Sequence, residues 1–177
     1  MKKSILILLL IINYKLVFSQ ISSNESYSVS TIAFYNVENL FDTIDDPVTR
    51  DDDRTPQGKD KWTIDIYNKK LKNISRVIHE IGSDLTNTTP TIVGLCEVEN
   101  KKVLQDLINT NLLKNSNYRI IHFDSPDERG VDVALLYKTE KFNPSAVKTY
   151  PLYLKNSNGT KDFTRDHLVV SGFLENE

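Results

Sequence analysis

Glu97 closes an otherwise apolar run, Ile92-Val93-Gly94-Leu95-Cys96, and Asn36 closes a second stretch, Tyr27 to Asn36, rich in β-branched and aromatic residues. Desolvating a carboxylate costs several kcal/mol unless it is paired or holds a metal. A rigid strand that carries a carboxylate to the edge of a sheet is what a hard oxygen ligand of Mg2+ needs. The competing reading is that Glu97 caps the helix that follows, and Asn36 taken singly is equally open. If the strand persists, period-2 alternation sets Glu99 on the face of Glu97. The acidic stretch Asp42, Asp45, Asp46, Asp51, Asp52 and Asp53 invites a calcium loop. With Asp53 as position 1 and Gly58 as position 6, however, Ile64 stands where an EF-hand needs its bidentate Glu, so a solvated acidic loop is expected.

These side chains have to be positioned by regular elements. Tyr27 to Asn36 reads as a strand, and Asp42 to Lys61, with Pro47, Pro56 and Gly58, as a loop. From Ile66, the residues Leu71, Ile74, Val77, Ile78 and Ile81 recur at helical spacing, with Gly82 as the stop. Thr91 to Val98 reads as a strand buried on both faces. Val103, Leu104, Leu107 and Ile108 then make a second amphipathic helix, with Asn100 as N-cap. Tyr118 to Phe123 and Val131 to Tyr137 follow as strands. Tyr150 to Leu154 and His167 to Phe173 read as two more, separated by the turn signal Asn156-Ser157-Asn158-Gly159. Strand, helix, strand, helix and then several strands predict a mixed α/β sheet with flanking helices.

At 177 residues, 39% hydrophobic and 26% charged, the composition is that of one globular domain. The formal net charge of −2 becomes more negative without Lys2, Lys3 and Lys15, which excludes a protein that coats nucleic acid by a general positive field. A polyanionic substrate would be met by a few placed cations or a metal. The single Cys96 forms no intramolecular disulfide and no cysteine metal cluster. Lys2 and Lys3 precede the apolar run Ile5 to Ile12, and Val17 and Ser19 stand at the −3 and −1 positions of a cut before Gln20, the pattern of a secretory leader over residues 1–19. The run is far short of the ~20 residues that span a bilayer, so no stable membrane anchor is expected.

Phe34-Tyr35-Asn36-Val37-Glu38-Asn39-Leu40-Phe41-Asp42, followed by Gly94-Leu95-Cys96-Glu97-Val98-Glu99-Asn100, resembles the endonuclease/exonuclease/phosphatase family, whose fold is that of pancreatic deoxyribonuclease. The likeness extends through Ser125 to Tyr137 and Thr164-Arg165-Asp166, and so covers about Ile32 to Phe173. It implies a four-layer α/β sandwich and a metal-dependent phosphoesterase. Glu97 then falls on the family's metal-ligand glutamate and Asn36 on the asparagine beside the metal, which is Mg2+ or, alternatively, Mn2+. Arg165 matches a basic position that contacts substrate phosphate in some relatives, and a guanidinium fork suits phosphate oxygens; the plainer reading is a surface arginine in a turn. His122 and Arg129 flank the Ser125-Pro126-Asp127 turn and are candidates to line the cleft, although a strand histidine is more often a packed one. His79 is expected in solvent on its helix, and His167, beside Asp166, suits an ion pair as well as catalysis.

The family's later blocks, an Asn-His pair, an Asp-x-Asn and a terminal Asp-His, are not found among the residues to Glu177. The expectation is therefore the N-terminal portion of the sandwich over residues 20–177, inactive by itself. The competing function is a non-catalytic phosphate- or metal-binding remnant. The substrate class is a phosphate ester, with nucleic acid, nucleotide, inositol phosphate and lipid headgroup all open, and no protein partner is implied. The leader points to a periplasmic or extracellular location. N-terminal sequencing of exported protein should find Gln20 first; intact Met1 in a detergent-extracted membrane fraction would contradict the cut.

Overall fold

The computed structural model describes residues 27–175, so the leader read over residues 1–19 lies outside the described residues. Its frame is a four-stranded sheet in the order β1-β2-β4-β3, formed by β1 (Ile32–Leu40), β2 (Ile92–Val98), β3 (Tyr118–His122) and β4 (Asp132–Lys138). The strands β1 and β2 run parallel, while β4 is antiparallel to both β2 and β3. Parallel neighbours need a long crossover. Here it contains α1 (Ile64–Glu80) and the single turn α2 (Ser83–Thr86), and α3 (Lys101–Ile108) joins β2 to β3.

The helices form where the apolar spacing and the caps agree. Thr63 accepts a hydrogen bond from the Ile66 amide at the start of α1, whose buried face is Tyr67, Leu71, Ile74, Ser75 and Ile78. Asn100 caps α3 by accepting the Val103 amide at 3.0 Å. After α1, Gly82 takes φ 67°, and a Cβ there would stand 2.6 Å from the Thr31 side chain, so glycine is needed both for conformation and for space. The two helix faces close over one side of the sheet, where Ile78, Val93, Leu104, Leu107 and Leu136 are fully buried. The Tyr67 hydroxyl donates to Asp106 at 2.8 Å and ties α1 to α3.

The other side of the sheet faces an antiparallel ribbon of β5 (Phe142–Tyr150) and β8 (His167–Leu174). A cavity of about 840 Å³ lies between them, lined by Phe34, Asn36, Cys96, Val133 and Leu135 from the sheet and by Asp166 and Leu168 from the ribbon side. The mixed α/β class is as expected from the sequence, with helices on one face of the sheet and strands on the other. Among the described residues, no helix is long and apolar enough to cross a membrane.

Two expectations are corrected. The strand expected over Tyr150 to Leu154 is instead Phe142–Tyr150, which pairs with β8 from Phe142↔Leu174 to Tyr150↔His167. Pro144 hid it from pattern reading; proline is tolerated here because the ladder shifts register between Pro144 and Ala146 in a two-stranded ribbon. The Asn156 to Gly159 turn closes a smaller nested hairpin, β6 (Leu154–Lys155) with β7 (Lys161–Asp162). The acidic loop is not simply solvated. Asp51 is 2% exposed and accepts the Asp46 amide and the Thr49 hydroxyl, and the Trp62 indole donates to the Phe41 carbonyl.

Leu104 is enclosed by both layers. Leu104→Ala should cost about 2–5 kcal/mol in urea unfolding, whereas Leu85→Ala, at a side chain 73% exposed, should change stability by no more than about 0.5 kcal/mol.

Candidate active site

The ladder between β1 and β2 is continuous from Ile32↔Ile92 to Asn36↔Cys96 and then slips before Leu40↔Val98. The β2 ladder with β4 slips at the same place, between Cys96 and Val98. Strict alternation would have put residue 97 on the side of Val93 and Leu95, inside the helix-covered core, where a carboxylate is costly. Glu97 instead takes φ 67°, and across the pair Glu38 and Asn39 take φ 54° and 64°. Left-handed conformations at residues other than glycine cost of order 1–3 kcal/mol each and gather at functional sites. The outcome is that Val98 is fully buried while Glu97 turns outward, its side chain 17% exposed. The Lys70 ammonium from α1 donates to the Glu38 carbonyl at 2.9 Å and supports the bulge.

The Asn36 amide nitrogen donates to Glu97 Oε1 at 3.2 Å, and the Asn36 oxygen accepts the Glu38 amide at 2.8 Å. The second bond fixes which end of the Asn36 amide meets the carboxylate. Arg165 approaches the same Oε1 at 3.7 Å through Nη1 and Asp127 Oδ2 at 3.8 Å through Nε. Asp127 is gripped by Arg129, with Nε donating to Oδ1 at 3.0 Å and Nη2 to Oδ2 at 2.8 Å. The site is therefore a chain of alternating charge, Glu97, Arg165, Asp127, Arg129, drawn from β2, the segment before β8 and the β3–β4 loop. Burial pushes the Asp127 carboxyl up, but hydrogen bonds from Arg129 and the charges of Arg129 and Arg165 outweigh it and hold the group below its ordinary value. Burial pushes the Cys96 thiol up, against the pull of Arg165, so this cleft residue stays a thiol rather than a nucleophilic thiolate.

The β3–β4 loop is itself docked. Gly130, at φ 69°, lies so close to Thr49 that a Cβ would meet the threonine side chain at 2.8 Å. The Arg50 amide donates to the Glu128 carbonyl at 2.9 Å, and their side chains pair at 2.7 Å. The acidic loop thus braces the segment that holds Asp127.

Of the residues singled out in the sequence, Asn36, Glu97, Arg165 and Arg129 are brought together. His122 is not; it lies on the helix-side face with Tyr118 and Ile120, its Nε2 3.0 Å from Asp132. His79 is exposed on α1, as expected, and His167 is exposed at the start of β8 beside the cavity. Glu99 does not share the position of Glu97, because the bulge ends the alternation. Its carboxylate accepts the Asp42 amide at 2.6 Å, and its amide donates to the Leu40 carbonyl. Sequence reasoning does not single out Asp127 as a site residue; an Arg two positions on is its only local signal, and its burial is visible only in the structure. Asp166 was likewise left aside, and its Oδ1 is buried with no hydrogen-bond partner among the described residues.

An outward carboxylate held by an amide is a donor that suits a hard divalent cation. A family model described as "Endonuclease/Exonuclease/phosphatase family" matches residues 31–177. A comparison with curated proteins finds no match.

Burial pushes the Glu99 carboxyl up to about 7, with the charges of Asp42, Asp51 and Asp46 adding to it against the Asp42 amide bond. The folded chain therefore binds this proton more tightly than the unfolded chain, and stability falls as pH rises from about 4.5 to about 7. Glu99→Gln should flatten that fall and gain on the order of 1 kcal/mol at pH 8 after solvent screening, measured by urea unfolding across pH.

Proposed function

We propose that this chain, which belongs to the endonuclease/exonuclease/phosphatase family, carries at the bulged ends of β1 and β2 the centre of an exported, Mg2+-dependent phosphoesterase. The family makes the reaction class hydrolysis of phosphoester bonds. The observation that carries the metal reading is Glu97, a carboxylate turned out of the core by a strained backbone and oriented by Asn36. Glu97 would hold the ion, with Asn36 beside it orienting the carboxylate through its amide N–H, and a hard oxygen ligand of this kind accepts Mn2+ as well as Mg2+. When bound, the ion neutralises a phosphate oxygen and the charge that builds on the leaving group.

Arg165 is placed between two carboxylates at distances of 3.7 and 3.8 Å, outside direct hydrogen bonding, so its donors are available to a phosphate. Asp127 keeps that guanidinium in position without consuming it. Arg129 spends two donors on Asp127 and, at 54% side-chain exposure, presents the rest of its fork to solvent and to substrate. The substrate side is thus a few placed cations on an acidic protein, which suits a phosphate ester bound locally. Among the described residues no histidine is hydrogen-bonded to this group, which favours as second reading a site that binds metal and phosphate without turning over.

Glu97→Gln should abolish Mg2+ binding in calorimetry, and in a form of the protein active on bis(p-nitrophenyl) phosphate it should lower hydrolysis by about 100-fold or more, while Asn36→Ala there should cost about 10–100-fold. Glu80→Ala, on the exposed side of α1, should change neither. Equal Mg2+ titrations for wild type and Glu97→Gln would refute the metal assignment. Mg2+ and inorganic phosphate binding with no hydrolysis by the wild-type chain would select the binding reading.

A further inference from the structure

At the far edge of the sheet, His122 ends β3 with its side chain only 3% exposed. Its Nε2 lies 3.0 Å from Asp132 Oδ2, and Asp132 Oδ1 accepts both the amide of Ser125, at 2.8 Å, and the Ser125 hydroxyl. With a carboxylate at Nε2 the proton of the neutral imidazole is kept there, and the lone pair belongs to Nδ1. Nδ1 is directed at Asp124 Oδ1 across 3.9 Å, beyond hydrogen-bond distance. Asp124 is 93% exposed and free to adjust. One ligand atom from each of His122, Asp124 and Asp132 lies within 4.8 Å of the others.

We propose that this corner is a second cation site, separate from Glu97, which takes a divalent transition ion of the Zn2+ type through His122 Nδ1 and the Asp124 carboxylate. Metal bonds of about 2.0–2.2 Å to nitrogen and oxygen set two ligands of one ion about 3–4 Å apart, so the observed gap needs little movement. Asp132 is the carboxylate behind the imidazole, which fixes the ring, as is usual for metal-bound histidine. An imidazole donor selects Zn2+ over Mg2+, the opposite preference to an all-oxygen set. The alternative use of the cluster, a serine–histidine pair at Ser125, does not fit: Asp132 stands between the hydroxyl and the imidazole, so the imidazole does not face Ser125. The ion would fasten the point where the β3–β4 loop departs, and that loop carries Asp127 and Arg129.

The test is Zn2+ binding by the full chain, by equilibrium dialysis in the presence of excess Mg2+, with Co2+ absorption as the spectroscopic readout. Wild type and Glu97→Gln should both bind Zn2+ at this site and show the Co2+ band. Asp124→Asn, at an exposed position where folding is not at stake, should weaken Zn2+ at least about 10-fold, and His122→Gln should remove the band. Unchanged Zn2+ affinity in Asp124→Asn and His122→Gln would overturn the proposal, as would Zn2+ binding that disappears only in Glu97→Gln. Neither result bears on Mg2+ at Glu97, so failure of the two sites can be told apart.

Discussion

The parallel pairing of β1 with β2, and the way it stops, governs the arrangement of the cleft. For as long as the ladder runs, alternate side chains belong to the helix-covered core, and residue 97 would have been one of them. A single left-handed residue moves the carboxylate out and returns Val98 to a fully buried position. The same end of β1 breaks with Glu38 and Asn39, so the two strands open together. The strain is offset by what surrounds it: the hydrogen bond between Asn36 and Glu97, the Asn36 clamp on the Glu38 amide, Lys70 on the Glu38 carbonyl, and the apolar contacts of Leu40 and Val98.

Electrostatics explain why loops so distant in sequence meet. Asp127, buried to 3% side-chain exposure, would be unfavourable alone, and Arg129 satisfies it with two parallel hydrogen bonds. This leaves Arg165 to lean between Asp127 and Glu97. Removal of any one charge would leave a neighbour in a partly dry cleft with less compensation, so these residues act as a unit. The acidic segment after β1 belongs to the same construction, since Thr49 and Arg50 pack and bond to the loop that presents Asp127. Within it, Asp46 and Asp51 accept amides of its own backbone, and Asp60 pairs with Arg54 at 2.7 Å.

Local patterns carried most of the fold. The 3.6-residue spacing from Leu71 to Ile78, the Asn100 cap and the apolar run from Ile92 each state which side is buried, and the structure follows them. They failed at β5, whose Pro144 and polar residues reflect a ribbon packed on one side only, and at Glu99, where period-2 reasoning assumed a strand that the bulge ends.

The sequence by itself determined that a carboxylate stands near the end of one strand and an amide on another, because hydrophobic periodicity is a local property; the first strand, expected to close at Asn36, runs on to Leu40 past a register shift. It also carried the family likeness, in blocks of adjacent residues. Only the tertiary structure decided that Glu97 turns away from the core, that Asp127 holds two guanidinium groups at once, and that His122 keeps company with Asp132 on the opposite face. Each of these depends on backbone register and on where a loop docks. Register is set by the summed packing of both sheet faces, and a charge pair between residues 127 and 165 has no signature until the chain has closed around it.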